Sequence, residues 1–560
     1  MNAPFTAWLR GTFLSVLGCL VAACSPHDGP VTDSQTNWLR ACESDADCGA
    51  LQCLCGACTS GCSAETDCES LQEEGASCVT ADEAGSVALC GGQTPPAPGV
   101  CLPRCDDEDC PSGQMCVAGA CSPVPEPTTT VIVDSSVLHQ RLIGFGATLA
   151  YAENEVLAHP RSGELFEAMS AGLGLDVLRL RNRYGYVGDD DLTTAGEILD
   201  SVAASLGRPP VVMLVSWSPP PEMKVSGALE CRGNADTCTL AEAAGGGFDY
   251  AALGTYWRDS LDAYAQVGVA PDFIAIQNNP DFVPDANNPG EACRFLPVEG
   301  TATVSVNGTD VEVTYPGFSE TLAAVVEQLG GLSSPPQIAA PETSYGQIAG
   351  RFLAELDIGQ VDAISHHLYG FDPASLDVSS FETLAPLGES YARPLLQTEM
   401  HAGGLDTAVL AHYSLAVEGA AAYLHSILVG RADAANTESE GLIGIDAAGF
   451  ELAPAYHAMR HYALYTDPEW TRTDALSDSE DLLASAWIAP DGDLLTLVMV
   501  NAAESELDVR VDLGDDATMS SEVIRTVFDG IERSAELGTL DGEGIVRLPG
   551  HSIVTVALQR

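Results

Sequence analysis

Basic residues are scarce in this chain. Of its 560 residues, 23 are lysine or arginine and 80 are aspartate or glutamate, and Lys224 is the single lysine. The formal net charge of -57 is repelled by nucleic acid and by anionic membrane surfaces, so we expect no nucleic-acid partner. The acidic residues are spread along the sequence, which is typical of a strongly solvated surface, and they form no EF-hand-like calcium loop.

Apolar runs long enough for a transmembrane helix are also missing from the sequence. The short run at residues 12–22 follows Arg10 and predicts an export signal. It ends in small residues before Cys24, which resembles a bacterial lipobox. We therefore expect a signal peptide at 1–23, a lipid on Cys24 and anchoring to the outer membrane or cell surface. Cys19 is a second candidate for lipidation, and a plain secretory signal is the alternative.

Cysteine is concentrated in one segment, since fourteen of the 19 cysteines lie in residues 42–121, after a linker at 24–41. This segment has few large apolar residues, which predicts an exported module held together by disulfides, with a role in spacing or adhesion. An even number is consistent with seven bridges. Zinc at Cys55-x-x-Cys58 is the alternative, but the segment lacks histidine and the compartment is oxidising, so we expect no metal.

The pattern changes after a proline-rich linker at residues 122–129. Short β-type runs alternate with helical segments such as 249–267 and 318–330, which predicts parallel strands with helical crossovers. The eight runs are 142–148, 176–183, 210–218, 273–279, 337–342, 363–369, 394–400 and 441–446. They predict an α/β fold, a (β/α)8 TIM barrel over residues 130–472. A doubly wound open sheet is the alternative, but its glycine-rich phosphate loop is missing.

Further elements surround this barrel. Residues 301–314 alternate around Asn307-Gly308, which predicts a hairpin after the fourth strand. Cys231 and Cys238 are expected to form a disulfide, which leaves Cys293 as a free thiol. Residues 473–560 predict an antiparallel β-sandwich side domain, which the strand at 130–137 is expected to join.

Polar residues follow the predicted barrel strands at their carboxyl ends, where barrel active sites lie. Six short motifs occur there in order: GFGAT, LRLR, SWSPPPEMK, IQNNPD, HHLYG and QTEMH. Together they resemble glycoside hydrolase family 30, a family of retaining (β/α)8 glycosidases with a β side domain that cleave β-linked sugars. The resemblance covers residues 130–560.

The resemblance implies a role for each strand-end residue. A retaining glycosidase needs two carboxyl groups about 5–5.5 Å apart, one as nucleophile and one as acid/base. Glu399 matches the nucleophile, and Arg179 or Arg181 would keep it ionised. The residues implied to contact the sugar or the nucleophile are Trp217, Asn278, His366, His367 and Tyr369. A polysaccharide or glycan is the implied partner, and this chemistry requires no cofactor.

The chain departs from the family pattern at two positions. Asn279 stands where the family has its acid/base glutamate, and an amide cannot donate a proton at neutral pH. Glu222 stands where the family usually has tryptophan. Three explanations stay open: a displaced acid (Glu222, Asp281 or Glu342), glycan binding without cleavage, or substrates whose leaving group needs no protonation. Besides hydrolysis and glycan binding, a structural adhesion protein that works through the cysteine-rich segment is a further hypothesis for the function.

Overall fold

A computed structural model describes the chain from Thr129 to Arg560 and parts of the cysteine-rich segment between residues 42 and 123. Within the first of these regions, it leaves out residues 187–191, 232–234, 284–289, 307, 372–377, 433–440, 515–519 and 541–543. The predicted signal peptide, Cys24, the linker at 24–41 and most of the proline-rich linker lie outside the described residues. No helix in the described part is long and apolar enough to cross a membrane.

Eight parallel strands close into a barrel, as the alternating pattern predicts. In chain order, barrel strands 1 to 8 are Gly144–Leu149, Val177–Arg181, Val211–Val215, Phe273–Ala275, Gln337–Thr343, Ala363–His367, Leu395–Glu399 and Ala420–Ser426. Strand 8 pairs with strand 1 and closes the ring. Alternate strand residues such as Met213 and Val215 fill the interior, and Trp217 lies at the end of the barrel where the strands have their carboxyl ends.

The eighth strand is not the one predicted from the sequence. It is Ala420–Ser426, whereas Ile443–Ile445 pairs with Val429–Arg431 and Phe450–Leu452 in a small separate sheet. The alanine-rich run has little intrinsic strand preference, but strand formation depends more on packing than on propensity. Gly419, at φ 83°, ends the preceding helix and marks the boundary that the sequence pattern missed.

Helices surround the barrel, and most of those described bury apolar side chains against it. Two of them agree closely with the predicted segments: Tyr250–Gln266, where the Asp249 side chain accepts a hydrogen bond from the Ala252 amide, and Phe318–Leu329. The other described α-helices are Glu153–Ala158, Ser162–Met169, Thr193–Leu206, Gly346–Leu353, Val378–Glu382, Ala385–Tyr391, Gly404–His412 and Pro454–Ala463. A π-helical turn, Tyr413–Glu418, extends the helix that follows strand 7.

Long insertions follow strands 3 and 4, on the face where the strands end. The predicted hairpin is confirmed, with strands Gly300–Val306 and Thr309–Tyr315. Cys231 and Cys238 form the expected disulfide, and Cys293 is a buried free thiol. Lys224 is buried between the insertions and donates hydrogen bonds to the Ser218 hydroxyl and the Ala292 carbonyl, so it ties the two loops together.

The side domain is a nine-stranded sheet built from both ends of the barrel region. Its strands, in spatial order, are Ala535–Gly538, Ser520–Val527, Ser552–Gln559, Leu494–Asn501, Leu482–Ile488, Thr471–Ser477, Thr129–Arg141, Leu507–Asp512 and Ile545–Leu548. Strands from both ends of this order share one apolar core, so the sheet folds over itself. One pairing differs from the antiparallel prediction, because Leu507–Asp512 runs parallel to Thr129–Arg141.

The cysteine-rich segment consists of short strands joined by disulfides. The described strands are Gln52–Leu54, Ala57–Thr59, Gly61–Cys62, Ala76–Thr80, Gly99–Pro103, Gln114–Val117 and Ala120–Pro123. Bridges join Cys42 to Cys53, Cys48 to Cys58, Cys62 to Cys78 and Cys68 to Cys101. Buried sulfur atoms thus replace the large apolar side chains that the segment lacks.

Candidate active site

Arg179 lies at the centre of the candidate site. Its side chain points inward from strand 2 and has no solvent exposure. One guanidinium nitrogen, Nη1, donates to Glu399 Oε2 at 2.7 Å and to Thr148 Oγ1 at 3.1 Å. The other, Nη2, donates to Asn278 Oδ1 at 2.5 Å and to Glu342 Oε2 at 2.9 Å. One arginine thus fixes groups from strands 1, 4, 5 and 7.

Glu399 ends strand 7 and is held from two sides. Its Oε2 accepts from Arg179, and its Oε1 accepts from the Tyr369 hydroxyl at 2.9 Å. Burial and the negative charge of Glu399 raise the pKa of Tyr369 well above its ordinary value, so the phenol stays protonated and donates. A carboxylate that is held ionised by an arginine and oriented by a second hydrogen bond can serve as a nucleophile.

Glu342 is a second buried carboxylate on the same arginine. It is the penultimate residue of strand 5, and His367 Nε2 and Thr398 Oγ1 lie at 3.0 and 2.7 Å from its oxygens. Burial alone would raise the pKa of Glu342, but the Arg179 charge and the hydrogen bonds from His367 and Thr398 outweigh it and hold the pKa well below its usual value. Glu342 is therefore ionised, which is unsuitable for a general acid.

The two histidines of strand 6 point to opposite sides, as successive strand residues do. His367 faces the barrel, where its Nδ1 lies 3.9 Å from Glu399 Oε1. His366 faces outward, and its Nε2 lies 2.5 Å from Glu418 Oε1 in a fully buried pair. Burial would lower the pKa of His366, but the charge of Glu418 raises it instead. The structure thus separates His366, predicted as a sugar contact, from the rest of the site.

Trp217 and Asn278 lie beside Arg179, as their strand-end positions predict. The Arg179 guanidinium carbon is 4.7 Å from the centroid of the Trp217 ring, a cation–π contact. Only 8% of Trp217 is exposed, so a bound sugar would meet one part of the ring rather than a whole face. Arg181, the alternative partner for the nucleophile, pairs instead with Glu291 at 2.7 Å.

Asn279 follows strand 4, at the position that the sequence resemblance aligns with the acid/base of family 30. Its backbone is left-handed at φ 51°, and its backbone N–H donates a hydrogen bond to the Glu342 backbone carbonyl at 3.0 Å. Its side-chain Oδ1 is buried without a hydrogen-bond partner among the described residues. Tyr151 and Glu342 also have positive φ values, 67° and 62°, so three strained residues surround the barrel mouth. Such strain tends to occur at functional sites.

Two further carboxyl groups stand near strand ends. Asp281 Oδ1 accepts from the Ser344 amide at 2.8 Å, and its Oδ2 is buried with no partner among the described residues. Burial raises the pKa of Asp281 above its ordinary value, with the Ser344 hydrogen bond opposing it. Glu222 lies on a 3₁₀ turn, Pro221–Met223, and is exposed. Asp281 therefore retains a proton more readily than Glu342 does.

Several residues that shape the site carry no recognisable sequence signal. Glu291 comes from the irregular insertion after strand 4, Thr398 is an ordinary strand residue, and Glu418 lies in a helix behind the barrel. Within the described part, the side chains that lie close enough together to hold a metal ion are all cysteines in disulfide bonds. A disulfide sulfur has no thiolate to coordinate a metal.

Comparisons with known proteins support the glycosidase-type fold. A glycoside hydrolase family 30 subfamily 8 xylanase from Clostridium acetobutylicum superposes with a TM-score of 0.58 at 18% identity, covering 77% of this chain and 100% of that one. A family 30 endoxylanase from Clostridium papyrosolvens gives 0.58 at 16% identity, with 77% and 100% covered. An endo-β1,6-glucanase gives 0.55 at 15% identity, with 78% and 95% covered. No protein-family model and no curated protein sequence matches the chain.

Proposed function

We propose that this chain is an exported glycoside hydrolase of the family 30 type that acts on β-linked polysaccharides or glycosides. The observation that supports this most directly is the cluster in which Arg179 and Tyr369 hold Glu399 at the barrel mouth. Glu399 would attack the anomeric carbon as the glycosidic C–O bond breaks and the protonated leaving group departs, and water would then hydrolyse the glycosyl–enzyme ester. Neighbours of the same fold include xylanases and an endo-β1,6-glucanase, which makes a glycan the natural substrate class.

The general acid in this proposal is displaced. Of the three candidates, Glu342 is ionised and fully engaged, and Glu222 is exposed on a turn. Asp281 is partly buried, has a pKa raised by that burial and lies two residues beyond Asn279. We therefore propose Asp281 as the proton source, acting through a water or a rearrangement of the Asn279 turn. A displaced acid assists less than a directly placed one, whose contribution is about 10²–10⁴-fold, so turnover of substrates with poor leaving groups would be slow.

Leaving-group dependence tests this mechanism. A 2,4-dinitrophenyl β-glycoside needs no proton donor, whereas a phenyl β-glycoside does. We expect Asp281→Asn to slow hydrolysis of the phenyl compound and to leave the dinitrophenyl compound nearly unchanged. Glu399→Gln should abolish both activities. A mechanism-based fluorosugar should label Glu399, and absence of both labelling and turnover across xylosides and glucosides would exclude hydrolysis.

Replacing Asn279 by the glutamate of the family tests whether a missing proton donor limits the activity. Asn279→Glu introduces the carboxyl group, and Asn279→Gln is its matched control with the same length but no acidic proton. We expect Asn279→Glu to raise hydrolysis of the phenyl glycoside by about 10²-fold or more, and Asn279→Gln to have no such effect. Equal behaviour of the two variants would mean that the rest of the site does not support acid catalysis.

The alternative is a cell-surface glycan-binding protein on a non-catalytic barrel, which the amide at position 279 favours. It predicts glycan affinity that survives Glu399→Gln and disappears with Trp217→Ala. Turnover that depends on Glu399 would reject it. The disulfides support an oxidising, extracytoplasmic location. Anchoring to the outer membrane through a lipid on Cys24 remains a proposal, and mass spectrometry of the mature N-terminus tests it.

A further inference from the structure

A cavity of about 420 Å³ lies beside the Arg179–Glu399 site and is not used by the steps above. It is lined by residues that follow strands 1, 2, 4 and 8: Tyr151, Glu153, Asn154, Glu155, Arg181, Arg183, Glu291 and Arg431. Its volume falls within the range of about 300–1,000 Å³ typical of small-molecule sites. No chemical step assigned to Glu399 requires any of these side chains.

The cavity continues the candidate active site outward along strand 2. Arg179 and Arg181 are two residues apart, so their side chains lie on the same face of the strand. Two residues of a parallel strand span about 7 Å. Arg179 binds Glu399, and Arg181 lines the cavity, so the cavity begins one strand layer beyond the reacting centre.

Tyr151 provides an aromatic surface in this cavity. It follows strand 1, and 49% of its surface is exposed, although large aromatic residues are usually buried. The Arg181 guanidinium carbon lies 4.5 Å from the ring centroid and fixes the ring. The left-handed backbone at φ 67° is costly for a tyrosine, which indicates that the surrounding structure imposes this position.

The charged side chains of the cavity compensate one another. Arg181 pairs with Glu291 at 2.7 Å, and Arg183 Nη1 lies 4.0 Å from Glu153 Oε1. Arg431 pairs with Glu155. Three arginines are thus matched by three glutamates, so the lining offers many hydrogen-bond donors and acceptors but no excess positive charge.

We propose that this cavity is a subsite for a second, uncharged sugar unit of a β-linked chain, with Tyr151 as its stacking surface. The inference rests on the proposed function. The flat apolar face of a sugar ring suits the exposed tyrosine, and the paired arginines and glutamates suit its hydroxyl groups. An anionic sugar would have to displace a glutamate from its arginine, which disfavours uronic acids. Tyr151 determines specificity here and takes no part in the chemistry.

The test measures binding against chain length, in the full chain carrying Glu399→Gln to prevent turnover. The probes are xylose, xylobiose and xylotriose, and glucose, gentiobiose and gentiotriose, titrated calorimetrically. We expect Tyr151→Ala to reduce the affinity gained on going from one sugar to two by about tenfold, which corresponds to about 1.4 kcal/mol. Tyr151→Phe should keep that gain, and Leu138→Ala, on the exposed surface of the side domain, is the control for a large-to-small substitution remote from the cavity.

A second measurement tests the charge argument. The protein should bind xylobiose more tightly than an acidic disaccharide, glucuronosyl-xylose, and Glu155→Gln should narrow that difference because it releases Arg431. A preference for the acidic disaccharide in the unsubstituted cavity would overturn the inference. If the affinity gained from one sugar to two is the same in Tyr151→Ala, the inference is also overturned, whereas the proposed function is not affected. Absence of binding to every probe would overturn both.

Discussion

Glu342→Gln removes one negative charge from the buried cluster around Arg179 while preserving its shape. The side chain is almost fully buried and accepts from Arg179 and Thr398. In glutamine, Oε1 can take the place of the oxygen that faces Arg179 and His367. The amide can then donate to the Thr398 hydroxyl, which donates in turn to the His366 carbonyl. The substitution therefore changes charge rather than packing.

The expected cost follows from the loss of charge-assisted hydrogen bonds. Hydrogen bonds to charged groups contribute about 1.5–3 kcal/mol, and neutral ones about 0.5–1.5 kcal/mol. Glutamine keeps a hydrogen bond from the charged guanidinium, but it removes the opposite charge from Arg179 and makes the Thr398 contact neutral, so the free energy of unfolding at pH 7 should fall by about 1–3 kcal/mol. Glu342→Ala removes the acceptor as well as the charge, so it should cost about 3–5 kcal/mol.

The pH dependence has a defined sign. The pKa of Glu342 in the folded protein is lower than the ordinary value of 4.5, so its stabilising contribution is present above that value. The contribution decreases as the pH falls below about 4.5, because protons then bind the unfolded carboxyl group first. The stability difference between the native sequence and Glu342→Gln should therefore be constant from pH 7 to 5 and shrink towards pH 3.

Urea unfolding followed by tryptophan fluorescence measures this difference, with Trp217 and Trp257 reporting on the barrel. Glu222→Gln is the matched control, since the same change on an exposed turn should stay within about 0.5 kcal/mol. A Glu342→Gln difference that is the same at pH 7 and pH 3, or no larger than the control, would contradict an ionised Glu342 paired with Arg179.

Two other substitutions test contacts at the edges of the cluster. Tyr369→Phe removes the 2.9 Å hydrogen bond to Glu399 and should slow fluorosugar labelling by about 10- to 100-fold, with little change in melting temperature. An unchanged labelling rate would mean that the phenol does not assist the nucleophile. Glu418→Gln breaks the buried pair with His366 and should cost about 3 kcal/mol. Because the pKa of His366 is raised in the folded protein, this cost should be greatest below pH 6.5 and decline at higher pH. Urea unfolding at pH 6 and pH 9 measures the cost. A cost that grows with pH would contradict a protonated His366 paired with Glu418.

Much of the site could be predicted because parallel strands end at one face of a barrel. The sequence places Arg179, Tyr369 and Glu399 after separate strands, and barrel closure brings them within hydrogen-bond distance. Strand order and side-chain alternation are enough for this, without knowledge of the loops. The same alternation could have separated His366 from His367, since neighbouring strand residues cannot both face the interior.

Other features depend on packing that no local pattern reports. Strand 8 begins with three alanines and is buried on both faces, so its sequence lacks the alternation and the β-branched residues that indicate a strand. Glu291, which takes Arg181 away from the nucleophile, comes from an insertion without periodicity. Cavity lining from four separate loops, such as that around Tyr151, likewise depends on loop conformations that spacing alone does not determine.

Asn279 links the missing acid to backbone strain. Asparagine tolerates the left-handed region better than longer side chains do, and here the backbone is fixed by the hydrogen bond to the Glu342 carbonyl. Glutamate at this position would gain a proton donor but lose that tolerance, at a cost of about 1–2 kcal/mol. Asn279→Glu and Asn279→Gln should thus destabilise the protein equally, and Asn279→Gly should not. If Asn279→Glu raises turnover and keeps full stability, strain at this strand end does not oppose the return of the acid.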